Sequence, residues 1–234
     1  MQELVAIAGT INAFVSLAIA LRLYMTYRQS HSEAQGHFLL FYLYFGVFYL
    51  YFATSQLVLP RDSGLIIGIF HVISYFFLYL AIGYLMSFPL MIAGRNIASQ
   101  RLLLLVFIFN IIFLTLRVIY FAPSQQEIIN QYLYWRPIFP VWMRMVTGIF
   151  ALVAGASAST LFLIQGWKQR GKNSSLCRRS LWLGAGTGMF IFASLLSFIA
   201  APSGSFSFVA LATLLVLVGL LSVARGVYYR VSEA

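Results

Sequence analysis

The chain has 234 residues, of which 62% are hydrophobic and only 9% charged, and its mean hydropathy is +0.90. A soluble domain carries about a quarter charged residues, so the composition excludes a soluble enzyme and predicts one membrane-embedded domain over residues 1–234. The net charge of +10 does not indicate a nucleic-acid partner, because the basic residues lie in short gaps between long apolar runs.

Seven apolar runs reach the length of about 20 residues that a helix needs to cross a bilayer. They cover residues 4–24, 38–59, 64–92, 102–121, 138–165, 179–200 and 206–227. The first run is preceded by an acidic residue and no basic one, which favours a retained anchor over a cleaved signal peptide. The sequence therefore predicts an all-α integral membrane protein with seven transmembrane helices.

The basic residues predict the orientation of these helices. Eleven of the fifteen Lys and Arg residues fall in the segments after the first, third, fifth and seventh runs, whereas only Arg61 and Arg136 lie in the opposite loops. Loops rich in Lys and Arg face the cytoplasm. We therefore expect a multi-pass protein of the cell membrane with its N-terminus outside and its C-terminus inside. The basic loop 168–179 is a candidate docking surface for a cytoplasmic protein partner.

The first three and the last three runs read alike, at an offset of about 140 residues. Pro60 and Pro202 each end the middle run of a triplet, and the loops within the triplets have similar lengths. This pattern indicates a parallel pseudo-repeat of three helices, one linker and three helices. The plan resembles that of sugar-efflux carriers and related small transporters, although the Pro-Gln pair typical of that class is missing. The resemblance implies an architecture and no substrate.

Two kinds of side chain predict how the helices pack. Small residues four positions apart allow helix backbones to approach closely in lipid. Such rows are Gly64 with Gly68, Gly184 with Gly188, and Ala151 with Gly155 and Ser159. They serve either packing within the chain or a homodimer face. Aromatic residues crowd the second and third runs, where they either line a pocket or pack and face lipid.

Polar side chains inside an apolar span are costly, so they are the first candidates for a site. The candidate ligand-binding residues are His71, Arg117, Arg144, Gln56, Asn12 and Asn110. At about 1.5 Å per residue, five of them lie roughly 5 to 12 Å below the outer ends of five different spans. Asn110 is seven residues from Arg117 and extends the same helix face deeper.

These positions suggest an outward-facing basic pocket. No span contains an acidic residue that would neutralise the two arginines, although Asp62 and Glu127 in the outer loops lie within reach. A guanidinium group suits a carboxylate or phosphate ligand. The alternative is that both arginines extend to the lipid headgroups and that His71 is a hydrogen-bonded core residue.

The loop before the fifth run carries a capping-box pattern, Ser124 to Glu127, followed by apolar and aromatic residues up to Pro137. We expect a short amphipathic helix there, lying on the outer surface. It would either cover the mouth of the pocket or rest in the interface.

Missing residue types exclude several functions. The seventh run has no lysine for a retinal Schiff base, and no paired carboxylates or metal-ligand cluster occur. We expect no enzyme activity, no metal and no cofactor. The leading hypothesis is a transporter that binds a small polar or anionic ligand. The alternatives are a membrane sensor that signals to a cytoplasmic protein and a non-catalytic subunit of a larger complex.

Overall fold

The computed structural model describes residues 3–60, 62–129, 132–200 and 206–228, with the backbone alone at 129, 132, 199 and 200. Seven helices in this part of the chain are long and apolar enough to cross a membrane. They are α1 Leu4–Ser30, α2 Glu33–Val58, α3 Gly64–Ile92, α4 Asn96–Ile119, α5 Val141–Lys168, α6 Ser174–Ser194 and α7 Phe206–Tyr228. The prediction of seven spans and of a multi-pass membrane protein is confirmed.

Two helices change their winding near one end. In α2 the segment Leu50–Thr54 is π-helical, and α6 continues into a second π-helix at Leu195–Ala200. A π-helical turn inserts one residue into the ordinary helical repeat and is often found at functional sites. Both segments lie near the side of the bundle on which α1 begins, here called the N-terminal side.

Six helices form a closed ring. Each helix packs against the next in the order α1, α2, α3, α5, α6, α7, and α7 returns to α1. Helix α4 packs against α3 from outside this ring. Only 22% of the apolar stretch of α4 is buried, against 39% to 56% for the other six helices. In the described part of the chain, six helices therefore surround a central space, and α4 lies outside their ring.

Small residues allow the closest helix contacts within the chain. A Cβ atom on Gly155 would lie 3.1 Å from Ile191, and one on Gly184 would lie 2.8 Å from Leu163. The hydroxyl of Ser159 donates a hydrogen bond of 2.8 Å to the carbonyl of Gly184. Two of the predicted small-residue rows therefore face each other between α5 and α6, as packing within the chain requires.

The small-residue row of Gly64 and Gly68 packs against the segment that follows α4, not against another helix. A Cβ on Gly64 would lie 2.8 Å from the carbonyl oxygen of Ser124, and one on Gly68 would lie 3.1 Å from the Phe121 ring. The Ser124 amide donates to the Gly64 carbonyl at 3.0 Å. These two glycines let the chain that leaves α4 cross closely over the start of α3.

The prediction of an amphipathic helix between α4 and α5 is wrong. This segment forms an antiparallel hairpin, with β1 Gln125–Ile129 paired to β2 Tyr132–Arg136. Isoleucine, tyrosine and tryptophan favour strands, and pairing satisfies the backbone groups of both strands. Leu133, Tyr134 and Trp135 are 2% to 4% exposed, so β2 is packed into the bundle.

Candidate functional site

A cavity of about 120 Å³ lies in the centre of the ring. It is lined by α2, α3, α5, α6 and its π-helical extension, α7 and the hairpin. Along α3 the lining runs from Tyr75 to Leu85, which corresponds to about 15 Å of helix. The cavity is therefore long and narrow, and its axis follows the helices.

Nine of its 23 lining residues are aromatic. Helix α2 contributes one face with helical spacing, namely Phe41, Phe45, Phe48, Tyr49 and Phe52. Helix α6 adds Phe190, and its π-helical extension adds Ser197 and Phe198. Phe52 belongs to the π-helical segment of α2, so both π-helical segments bring side chains to the cavity. Of the two roles left open for the aromatic rows, this face of α2 has the pocket-lining one.

Three polar side chains meet at the N-terminal end of the cavity: Arg144 of α5, Tyr75 of α3 and Tyr134 of β2. We call them the mouth cluster. All three line the cavity. The cluster thus combines one cation with two hydroxyl donors, which is the chemistry that recognises an anion.

The two tyrosines of the mouth cluster are buried without hydrogen-bond partners. Tyr75 is 4% exposed and Tyr134 is 3% exposed. Neither hydroxyl forms a hydrogen bond with another residue in the described part of the chain. Burial raises the pKa of the Tyr134 phenol above its ordinary value, and the nearby Arg144 opposes this only in part. Tyr134 therefore keeps its proton, and its hydroxyl can donate a hydrogen bond to a bound anion.

Arg117 lies directly behind the mouth cluster. Its guanidinium carbon is 3.7 Å from the centre of the Tyr75 ring and 4.3 Å from that of Phe139. The side chain is 1% exposed; Nη2 donates to Thr147 Oγ1 at 3.1 Å, while Nε and Nη1 have no partner. Stacking on aromatic faces compensates part of its charge, at about 2 kcal/mol per desolvated contact. Arg117 consequently adds positive potential and holds the Tyr75 ring.

Carboxylates do not neutralise these two arginines. Glu127 forms an ion pair with Arg136 across the hairpin, with 2.6 Å between Glu127 Oε1 and Arg136 Nη1. Among the described residues, no acidic side chain forms an ion pair with Arg117 or Arg144. Arg136 also lines the cavity, but Glu127 balances its charge. The N-terminal end of the cavity therefore carries an excess of positive charge.

His71 and Gln56 lie together, beside the mouth cluster and outside the cavity lining. Gln56 Nε2 donates to the Phe52 carbonyl at 2.8 Å and lies 3.1 Å from His71 Nε2. His71 Nδ1 is 2.8 Å from Ser124 Oγ. A neutral imidazole with its proton on Nδ1 satisfies all of these contacts. The group joins α2, α3 and the segment before the hairpin, and its predicted role in ligand binding stays a prediction.

Asn12 and Asn110 connect helices at two other places. The amide of Asn12 donates to the carbonyl of Thr213, a cavity-lining residue of α7, at 3.1 Å. The amide of Asn110 donates to the carbonyl of Phe76 at 2.9 Å and fastens α4 to α3. Their oxygen atoms have no partner among the described residues. Of the six candidates, only Arg144 lines the cavity.

Aromatic packing closes the opposite end of the cavity. Phe38, Phe88 and Phe162, from α2, α3 and α5, have ring centres 5.0 to 5.5 Å apart and are all buried. We call them the aromatic seal. Next to it, His37 Nδ1 and Ser87 Oγ form a hydrogen bond of 2.6 Å that joins α2 to α3. The seal lies one helical turn beyond Phe41 and Leu85, the last lining residues of α2 and α3.

Sequence reasoning missed Tyr75 and Tyr134, because a tyrosine in an aromatic-rich span has no distinguishing signal. The prediction of an amphipathic helix between α4 and α5 was wrong, and it placed Tyr134 on a surface helix instead of in a buried strand. Comparison with protein-family models, curated proteins and solved structures finds no match. The functional conclusion therefore depends on the geometry of this chain alone.

Proposed function

We propose that this chain is a membrane carrier that binds a small organic anion in the central cavity, with the mouth cluster open to the outside. The anionic group would contact Arg144, Tyr75 and Tyr134, and the apolar part of the solute would lie among the aromatic rings. The observation that carries the proposal is a cation without a carboxylate partner, together with two tyrosine hydroxyls that form no hydrogen bond with a described residue, at one end of an apolar cavity.

A buried polar group without a partner costs about 1 to 3 kcal/mol, and an unpaired buried charge costs more. Among the described residues that cost falls on Arg117, whose Nε and Nη1 are buried without a partner; Arg144 is half-buried and, with the hydroxyls of Tyr75 and Tyr134, stays accessible to a ligand or water that accepts hydrogen bonds. A histidine or carboxylate that could act as a base is missing from the described lining. Binding and release without chemistry is therefore favoured over catalysis.

The length of the cavity favours transport over sensing. Its lining extends from Arg144, three residues after the start of α5, to Leu85, seven residues before the end of α3. A solute in it would pass the middle of the membrane and meet a single barrier, the aromatic seal. The apolar lining of the deeper part suits the apolar part of such a solute.

A two-fold arrangement of the ring supports the predicted pseudo-repeat. The contacts α1–α2, α2–α3 and α3–α5 have counterparts in α5–α6, α6–α7 and α7–α1. The π-helical segments of α2 and α6 occupy equivalent places. Pro202, cited above for the repeat, lies outside the described residues. Carriers built from two such halves move one half against the other around a central site.

The orientation follows from the charges of the loops. The loops opposite the mouth cluster contain Arg95, Lys168, Arg170 and Lys172, whereas Arg136 on the side of the mouth is paired with Glu127. We propose that the mouth faces outward, as the positive-inside rule predicts. Arg61 and Arg230 also belong to the loop and terminal arginines on which the predicted orientation depends, and they lie outside the described residues. Binding of a cytoplasmic protein to 168–179 stays a prediction.

Flux in liposomes tests the proposal directly. The purified chain is reconstituted, and uptake of radiolabelled hexanesulfonate is measured by counterflow, since a sulfonate stays charged and does not cross a protein-free bilayer. We expect saturable uptake that Arg144→Gln lowers at least tenfold, the effect of one charge-assisted hydrogen bond. Arg101→Gln, an exposed arginine far from the cavity, is the matched control and should leave uptake unchanged.

Two results would overturn the carrier. Saturable binding of hexanesulfonate without any flux would make the chain a sensor. Neither binding nor flux, with protein that remains folded by circular dichroism, would exclude the anion site altogether.

A further inference from the structure

We infer that a second anion site, built around Arg179, lies beyond the aromatic seal and receives the solute on the side opposite the mouth cluster. This inference rests on the proposed function and adds to it the place where the solute stops before it leaves the chain. In the proposed orientation, this place faces the cytoplasm.

A groove of about 290 Å³ opens between the end of α3, the end of α5 and the start of α6. We call it the inner groove. Its wall combines apolar side chains with four polar ones, those of Gln165, Gln169, Arg179 and Ser180. The groove is larger than the central cavity of about 120 Å³, so its size does not exclude an anion that the cavity accepts.

The inner groove continues the path of the central cavity. On α6, Arg179 lies eleven residues before Phe190, which lines the cavity, and three helical turns place both on one face. On α5, Gln165 lies eleven residues after the cavity-lining Ala154, also on one face. Both spacings correspond to about 16 Å of helix. Phe162 of the aromatic seal lines the groove, so the seal forms one of its walls.

Arg179 carries a charge that the described residues leave unbalanced. It is half-buried, and its guanidinium group forms no ion pair or hydrogen bond with another described residue. Arg225, on the same side of the bundle, lies 4.4 Å from the centre of the Trp182 ring. Arg179 stacks on no such ring in the described part of the chain. The described lining contains no carboxylate, and Glu33, on that side, accepts a hydrogen bond from Asn96 at 3.1 Å.

The groove therefore offers the donors that an anion needs. A guanidinium group donates several N–H groups, and the amides of Gln165 and Gln169 add neutral donors in the same groove. An anion that leaves Arg144 has to pass apolar residues, where an unpaired charge is costly. A cation at each end of that passage stabilises both end states. The neighbouring Arg178 is exposed and does not line the groove, so it does not have this role.

Protection of a thiol in the groove tests the inference. Cys177 is the single cysteine of the chain, so Cys177→Ser with Leu176→Cys leaves one thiol, at a groove position three residues from Arg179. The protein is placed in nanodiscs of neutral phosphatidylcholine, where reagents reach both faces. The rate of N-ethylmaleimide labelling is measured as hexanesulfonate is added, relative to the rate of each variant without it. We expect saturable slowing of at least fivefold.

Three arginine variants locate the bound anion. Arg179→Gln should raise the half-protective concentration of hexanesulfonate at least tenfold, the effect of one charge-assisted hydrogen bond. Thermal unfolding should not change, because Arg179 has no partner to lose among the described residues. Arg178→Gln, the matched control one residue away, should change the half-protective concentration less than twofold. Arg144→Gln, which alters the central cavity, should leave it within threefold.

Several results would overturn the inner site while hexanesulfonate flux still stands. Absence of protection would do so, and equal effects of Arg178→Gln and Arg179→Gln would show a diffuse charge effect of the loop. Protection lost in Arg144→Gln but kept in Arg179→Gln would show that binding in the central cavity closes the groove, without a second site.

A lipid headgroup has the same anionic chemistry and is distinguished by nanodiscs that contain phosphatidylglycerol. Labelling that this lipid slows through Arg179, with no further effect of hexanesulfonate, would make the headgroup the occupant and overturn the stop for a solute. Labelling that responds to hexanesulfonate equally in both kinds of nanodisc supports the solute. Absence of hexanesulfonate flux in liposomes would instead refute the proposed function, whatever the labelling shows.

Discussion

The two ends of the cavity are built from similar aromatic residues but differ in charge. At the mouth cluster, Arg144 has no carboxylate partner, and the hydroxyls of Tyr75 and Tyr134 form no hydrogen bond with a described residue. At the aromatic seal, Phe38 packs against Phe88 and Phe162, and His37 bonds to Ser87, while the buried hydroxyl of Tyr42 has no partner among the described residues. A cation without a carboxylate indicates a place for an anion, whereas close packing of rings indicates a barrier.

The two ends should also respond differently to substitution, one mainly in folding stability and the other mainly in ligand affinity. Changes at the seal should alter folding stability most, because they remove close contacts. Changes at the mouth should alter affinity and leave stability nearly unchanged, because the native state gains little from groups without partners. The following four variants test this contrast, from the largest expected effect to the smallest.

Phe38→Ala should lower the free energy of unfolding by about 3 to 5 kcal/mol, because it opens a cavity between three buried rings. Thermal unfolding in detergent measures the effect. Phe107→Ala removes a ring that is 46% exposed on α4 and is the matched control, with a change below about 1 kcal/mol. Equal losses in both variants would contradict a packed seal.

His71→Leu should lower the free energy of unfolding by about 1 to 3 kcal/mol, because it removes one hydrogen-bond partner of both Gln56 and Ser124. Affinity for hexanesulfonate should change less than twofold, since His71 lies outside the cavity lining. Thermal unfolding and counterflow uptake of hexanesulfonate separate the two effects. A tenfold loss of affinity with unchanged stability would instead place His71 in the ligand site.

Arg117→Met should lower affinity for hexanesulfonate about fivefold and leave stability within about 1 kcal/mol. The charge behind Tyr75 is lost, but methionine fills a similar space and removes a buried cation that has no carboxylate partner. Counterflow uptake and thermal unfolding measure both. Arg101→Met is the control for loss of a charge elsewhere. A large loss of stability would show that Arg117 is mainly a packing residue.

Tyr134→Phe should lower affinity for hexanesulfonate about threefold, the contribution of one neutral hydrogen bond, with no loss of stability. Tyr79→Phe is the counterpart, because the Tyr79 hydroxyl already bonds to Thr147 Oγ1 at 2.6 Å. It should lower the free energy of unfolding by about 1 kcal/mol and leave affinity unchanged. The reverse pattern would mean that Tyr134 supports the fold and not the ligand.

The helices were predictable, because hydropathy over about 20 residues reports a requirement that lipid imposes on every span. All seven predicted runs correspond to helices in the described part of the chain. The hairpin was not predictable in the same way. The segment from Ser124 to Pro137 carries both a capping pattern and strand-forming residues, and burial of Leu133 and Trp135 against the bundle decides between them.

The sequence named Arg144 as a candidate but not the two tyrosines that line the cavity with it. The cost of polar residues in lipid singled out six candidates, of which His71 and Gln56 are in contact, and their role in ligand binding stays a prediction. Hydropathy does not report which side of a helix faces the centre of a ring. The sequence therefore did not separate Arg144, which lines the cavity, from Asn110, which fastens α4 to α3.

By itself, the sequence determined the number of spans and the uneven distribution of charge, because both depend on composition along a single helix or loop. The tertiary structure decided the ring of six helices, the hairpin that carries Tyr134, and the meeting of Tyr75 with Arg144 at one end of a narrow cavity. These features join residues far apart in the chain. Their positions depend on how helix faces pack, a property that no single segment contains.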